Sequence, residues 1–145
     1  NLDSIALINN GPLAEQFVAQ HLHTAEENFE KASLHYWLRE GKHANAEVDF
    51  VISRGTRIVP IEVKSGKSGS LKSLVQFALS KSTTFAIRFD LNMPSIQEVS
   101  HAPTTGAGRN PIRYSLLSLP IYAIGQFGRL IDEYRDTANA GVLIF

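Results

Sequence analysis

Two stretches of alternating polarity, separated by three residues, constrain this chain more than any other feature. Residues 47–53 place Val48, Phe50 and Ile52 on one face and Glu47, Asp49 and Val51 on the other. After the turn Arg54-Gly55-Thr56 the period resumes over residues 57–64, with Val59, Ile61 and Val63 opposite Ile58, Pro60, Glu62 and Lys64. Strand-period segments joined this tightly form an antiparallel hairpin. The second strand is apolar on both sides, which suits the interior of a sheet. Pro60 argues for an edge, because proline lacks a ladder donor.

Around this hairpin the periodicity predicts further elements. Gly11-Pro12 followed by Leu13, Phe17 and then His21 or Leu22 reads as a helix over residues 12–23. Residues 33–40, rich in aromatics and stopped by Gly41, read as a strand. Leu71, Leu74, Val75, Ala78 and Leu79 recur at helical spacing after the loop Ser65-Gly66-Lys67-Ser68-Gly69-Ser70. Residues 83–89 and 112–119 read as two more strands, with residues 90–111 as an irregular excursion between them. Pro120 opens a final helix carrying Ile121, Ile124, Phe127, Leu130, Ile131 and Tyr134, although Gly125 and Gly128 weaken it. The expected fold is α/β: three layers, with a central mixed five-stranded sheet flanked by helices, in a single domain spanning residues 1–145.

Composition narrows the chemistry. The chain of 145 residues has no cysteine, which excludes disulfide scaffolds, zinc ribbons and thiol catalysis. It has no apolar run near the ~20 residues of a membrane helix and nothing resembling a signal peptide, so a cytoplasmic protein without a membrane partner is the expectation. Because it begins with Asn1, the chain reads as a processed product or a piece of something larger. Lys plus Arg and Asp plus Glu balance at 14 each, but residues 54–88 carry Arg54, Arg57, Lys64, Lys67, Lys72, Lys81 and Arg88 against Glu62 alone. That local excess of positive charge suits a phosphate backbone; solvated outward-facing charges are the plainer reading.

Several familiar motifs fail. Gly66-Lys67-Ser68 resembles the end of a phosphate-binding loop, but Ile61 stands where its first glycine belongs. Gly106-Ala107-Gly108 lacks both a preceding strand and the last glycine of a dinucleotide fingerprint. The histidines, His21, His23, His35, His43 and His101, include no i, i+4 pair for a helical metal site.

What survives is Asp49 on one hairpin strand and Glu62-Val63-Lys64 on the other. Neighbouring carboxylates raise each other's pKa unless a cation lies between them. Oxygen donors of this kind suit Mg²⁺ or Mn²⁺. Lys64, two residues past Glu62, is placed to hold a water or to steady a phosphate's developing charge. A further acidic group could come from Glu15 on the first helix. The competing reading makes these residues cross-strand ion pairs, each contributing well under ~1 kcal/mol.

The run from Tyr36-Trp37 through Ala46-Glu47-Val48-Asp49-Phe50-Val51-Ile52 to Pro60-Ile61-Glu62-Val63-Lys64-Ser65-Gly66-Lys67 resembles the C-terminal domain of a large group of prokaryotic AAA-type ATPases. That domain, of unassigned function, is similar to the PD-(D/E)XK nuclease superfamily, the restriction-endonuclease-like fold. The resemblance is closest over residues 33–67 and thins beyond residue 90. It implies that Asp49 and Glu62 are metal-binding carboxylates, that the Val63 carbonyl is a further ligand, and that Lys64 orients the attacking water. It also matches Glu15 to an acidic residue of the first helix and Gln76 to a glutamine of the helix that follows. Val48 stands where the superfamily name has proline.

The resulting expectation is a candidate Mg²⁺-dependent endonuclease that hydrolyses phosphodiesters of DNA, with Lys67, Lys72 and Gln76 against the nucleic acid and an affinity that falls steeply with salt. The alternative is a non-catalytic module that keeps the fold, binds nucleic acid or a protein, and regulates an attached AAA-type ATPase. No nucleotide-binding loop lies within these residues, so nucleotide chemistry would belong to another part of that protein.

Overall fold

The computed structural model describes residues 11–25, 34–40, 46–54, 56–102 and 111–140, without the side chains of Ala25, Arg54 and residues 135–140. In chain order the elements are α1 (Gly11–Ala25), β1 (His35–Arg39), β2 (Ala46–Arg54), β3 (Arg57–Val63), α2 (Lys72–Lys81), β4 (Phe85–Asp90), β5 (Ser95–His101), β6 (Ile112–Pro120), a 3₁₀ helix (Ile121–Gln126) and α3 (Phe127–Ala140). Gly41, His43, Gly55 and Gly106-Ala107-Gly108, named above, fall outside the described residues.

The strands form one sheet in the order β1-β2-β3-β4-β6-β5. β2 and β3 make the expected hairpin, antiparallel from Arg54↔Arg57 to Phe50↔Ile61. β3, β4 and β6 run parallel, with β1 and β5 added antiparallel at the two edges. β3 is interior, as its two apolar faces predict, and Pro60 is accommodated there. The ladder to β4 begins at Ile61, one residue beyond the proline, so the missing N–H interrupts nothing.

Two apolar layers flank the sheet. On one face Ile52, Val59, Ile61, Val63, Ile87, Phe89, Leu117 and Leu119 pack against Ala14, Val18 and Leu22 of α1 and against Ile121, Ile124, Phe127 and Ile131. On the other, Val48, Val51, Ala86, Tyr114 and Leu116 pack against Leu74, Phe77 and Ala78 of α2. Each Val, Leu, Ile or Phe among them, fully buried, contributes about 1.5–3 kcal/mol. Trp37 on β1 meets Phe77 edge-on at 5.3 Å, tying an edge strand to α2.

Three expectations are corrected. The sheet has six strands and not five, because Ser95–His101 in the middle of the supposed excursion pairs with β6 over seven residues. Most of β5 is exposed, so backbone hydrogen bonds hold it where an apolar period would otherwise have announced it. The final helix starts as a 3₁₀ segment. Ile121, Ile124 and Phe127 recur every three residues, the 3₁₀ period, before Ile131 and Tyr134 continue at α-helical spacing. The strict alternation of β2 also breaks. Val48 and Val51 lie in the same apolar layer while Phe50 packs on the other side. Between His35 and Trp37 β1 has one residue where β2 has two, Phe50 and Asp49 between Val51 and Val48, so β2 carries a bulge at Asp49.

Candidate active site

The bulge lies where the β2–β3 ladder ends. β2 pairs with β3 from Arg54 as far as Phe50, and on its other edge with β1 at Val51 and again from Val48 to Ala46. Asp49 stands one residue beyond the last β2–β3 pair, and its Oδ2 accepts the backbone N–H of Val63 at 2.6 Å. A carboxylate thus replaces a ladder bond at the point where β2 and β3 separate. The same contact fixes the Asp49 side chain beside the end of β3.

Glu62, at that end, is only 3% exposed. One carboxylate oxygen, Oε1, accepts a short hydrogen bond from Lys64 Nζ; the other, Oε2, is buried with no hydrogen-bond partner. An unpaired buried oxygen of this kind costs about 1–3 kcal/mol. Lys64 continues the β3–β4 pairing with its own N–H, donated to Phe89 O at 2.8 Å, and its side chain keeps 27% of its surface exposed.

The electrostatics follow from this crowding. Burial, then the Asp49 carboxylate, raises the Glu62 carboxyl from its ordinary 4.5 to about 7; Lys64 opposes the rise and Glu15 adds to it. Asp49 is also raised, by burial first and by Glu47, against the Val63 N–H and Lys64. On α1, Glu15 is raised by burial, Asp49 and Glu47. Four carboxylates from α1, β2 and β3 therefore act on one another, with the ammonium of Lys64 among them. The pair of residue types singled out in the sequence is brought together here. Glu47 joins it, and the alternation had already placed Glu47 on the face of Asp49.

The residues expected to meet nucleic acid lie beside this centre. Lys67 and Lys72 are exposed, on the loop after β3 and at the start of α2, and Gln76 follows one turn later. None of the three makes a hydrogen bond or ion pair with the carboxylates. Gln76 Oε1 instead accepts a short hydrogen bond from Arg39 at the end of β1. Arg39 was missed in the sequence because only the β1–β2 pairing brings it over α2. The basic block also shrinks: Lys64 is paired with Glu62, and Arg88 lies 2.9 Å from the buried Asp90. Arg57, Lys67, Lys72 and Lys81 remain as exposed cations of that block.

Among the described residues, no group of three or more histidine, aspartate or glutamate side chains is arranged to hold one metal ion. The donors present nevertheless fit Mg²⁺ or Mn²⁺ in kind. Mg²⁺ keeps several waters and is commonly held by one or two carboxylates together with substrate phosphates, and Glu62 Oε2 is a buried oxygen awaiting a partner. No helix among the described residues is long and apolar enough to cross a membrane.

Comparison with curated proteins and with solved structures gave no match. A family model described as a domain of unknown function, DUF4143, matches residues 10–93, a span that runs from α1 to the turn after β4 and contains every residue of the acidic cluster. The chain belongs to the DUF4143 family.

Proposed function

We propose that this domain binds a divalent cation through Asp49 and Glu62 and hydrolyses a phosphodiester of DNA. The observation that carries the reading is Glu62: a buried carboxylate with one oxygen on Lys64 and the other unpaired, next to a second carboxylate. Mg²⁺ or Mn²⁺, when bound, would lower the pKa of a water and polarise a phosphate oxygen. Asp49 and Glu62, with the Val63 carbonyl, would hold the ion, and Glu15 would add negative charge from α1. Lys64 orients the attacking water and, as a cation, steadies the charge that grows on the phosphate. Lys67, Lys72 and Gln76 would bind the nucleic-acid backbone next to this centre, so that affinity falls with added salt.

The restriction-endonuclease-like architecture belongs to the same proposal. It is supported by the six-stranded mixed sheet between helical layers and by the placement of the acids where β2 and β3 part. Supercoiled plasmid incubated at low salt with Mg²⁺ or Mn²⁺ tests the activity. Nicking by the wild type that is lost in Lys64→Ala and Asp49→Ala is expected; intact plasmid with both metals refutes it.

A second reading is favoured by the Lys64–Glu62 contact, which neutralises part of the cluster without any ion. In that reading the domain is a non-catalytic module that binds nucleic acid or a protein and regulates an attached AAA-type ATPase. DNA binding that is independent of metal and survives Asp49→Ala and Lys64→Ala would support it.

A further inference from the structure

Among the described residues, Asp90 is the one buried acid that the proposed reaction does not use. It ends β4, is 1% exposed, and has Arg88 Nε 2.9 Å from its Oδ2. Burying a carboxylate is costly unless it is paired and hydrogen-bonded. The Arg88 contact is an ion pair without hydrogen-bond geometry, and the hydrogen bonds come from Asn92: the Asn92 N–H donates to Oδ1 at 2.8 Å and Asn92 Nδ2 donates to Oδ2 at 2.9 Å. The same Nδ2 group donates to the Lys67 carbonyl at 2.9 Å, across to the loop after β3. Alongside it, the Leu91 N–H reaches the Gly66 carbonyl at 3.3 Å, and the Lys64 N–H reaches Phe89 O.

Residues 64–67 are therefore laced to residues 89–92 beyond the end of the regular β3–β4 ladder. The loop then turns so that Gly69 lies over the Lys64 side chain. A Cβ built on Gly69 would stand 2.7 Å from Lys64 Cδ and 2.9 Å from Cγ, so no larger residue fits without moving the lysine. Lys64 is thus held at its backbone by β4 and along its side chain by the loop, and the Asp90–Asn92 pair anchors that loop.

We infer that Asp90 and Asn92 form a clamp that positions Lys64 through the loop of residues 64–69. They are positioning residues, and touch neither the carboxylate cluster nor its proposed substrate. Arg88 pairs with Asp90; Asp90 orients the Asn92 amide; the amide fixes the Lys67 carbonyl. The importance of this for catalysis rests on the hydrolytic reading given above, but the positioning of Lys64 does not.

Lysine acetylation under limiting reagent, mapped by mass spectrometry, tests it. The reactivity of Lys64 is read against Lys72 and Lys81 of the same chain, in the wild type, Asn92→Ala, Asn92→Asp and the exposed neighbour Met93→Ala. Asn92→Asp keeps the size of the side chain but removes the amide donor and sets a second carboxylate against Asp90. Both Asn92 variants should raise Lys64 labelling about threefold to tenfold, the factor that loss of one such hydrogen bond corresponds to, while Lys72, Lys81 and Met93→Ala stay at wild-type rates. Unchanged Lys64 labelling overturns the clamp, and so does a rise shared equally by all three lysines, which would mark general loosening of the fold. In plasmid cleavage the Asn92 variants should lower kcat with little change in KM, and should have no further effect in a Lys64→Ala background. A wild type that does not cleave refutes the hydrolytic reading and leaves the labelling result to decide the clamp.

Discussion

Glu62→Gln should make the metal-free protein more stable, and increasingly so as pH rises. The carboxyl is raised from 4.5 to about 7 in the folded state, chiefly by burial and by Asp49. Between those two values the folded chain holds a proton that the unfolded chain has released, so wild-type stability falls with rising pH across that window. Below about pH 4.5 both states are protonated and nothing is lost. Above about pH 7 the full cost applies, about 3 kcal/mol at roughly 1.4 kcal/mol per tenfold change in proton affinity. Glutamine cannot ionise, yet its amide oxygen can still accept from Lys64. The variant and wild type should therefore melt together near pH 4.5 and separate by roughly 6–12 °C at pH 8. Asp49 and Glu15 are raised as well, so the variant keeps a shallower slope of the same sign. Thermal melts in EDTA at half-unit pH steps give the comparison. A constant difference at all pH values, or a variant less stable than the wild type at pH 8, would refute the argument that Glu62 is held in a site that disfavours its charge.

Asp49 can be separated into its charge and its hydrogen bond. Asp49→Asn keeps an oxygen for the Val63 N–H, whereas Asp49→Ala strands that donor, so urea denaturation should find the alanine variant less stable than the asparagine variant by about 1–3 kcal/mol. Gly69→Ala should displace the Lys64 side chain that its Cβ would strike and, by taking the donor from Glu62 Oε1, destabilise the fold by about 1–3 kcal/mol. The loss of Lys64's opposing influence should then move the Glu62 titration, followed by carboxyl ¹³C NMR, above about 7; an unmoved titration would mean that Lys64 finds another path to Glu62.

Much of the fold was legible because two local rules decided it. A short turn between alternating strands sets a hairpin, and an apolar stripe of spacing three and four sets a helix. Asp49, Glu62 and Lys64 could be read as neighbours for the same reason: the hairpin that carries them is local in sequence. β5 was not legible, because Ile96 and Val99 stand three apart in a strand whose faces are mostly wet. Nor was the bulge at Asp49, since it is a register shift in the pairing of β2 with β1, which the local period of β2 does not carry. Arg88 read as one more surface cation because its partner, Asp90, sits in a segment, Asp90-Leu91-Asn92, that looks like an ordinary turn. Only the adjacency of β3 and β4 shows that this turn faces the loop after Lys64.

The most direct test of the central claim is a calorimetric titration of Mn²⁺ and Mg²⁺ into the wild-type domain and into Asp49→Ala. A cation site built from Asp49 and Glu62 predicts saturable binding to the wild type that disappears in the variant. Heats indistinguishable from dilution in both proteins, or equal binding in both, would contradict it.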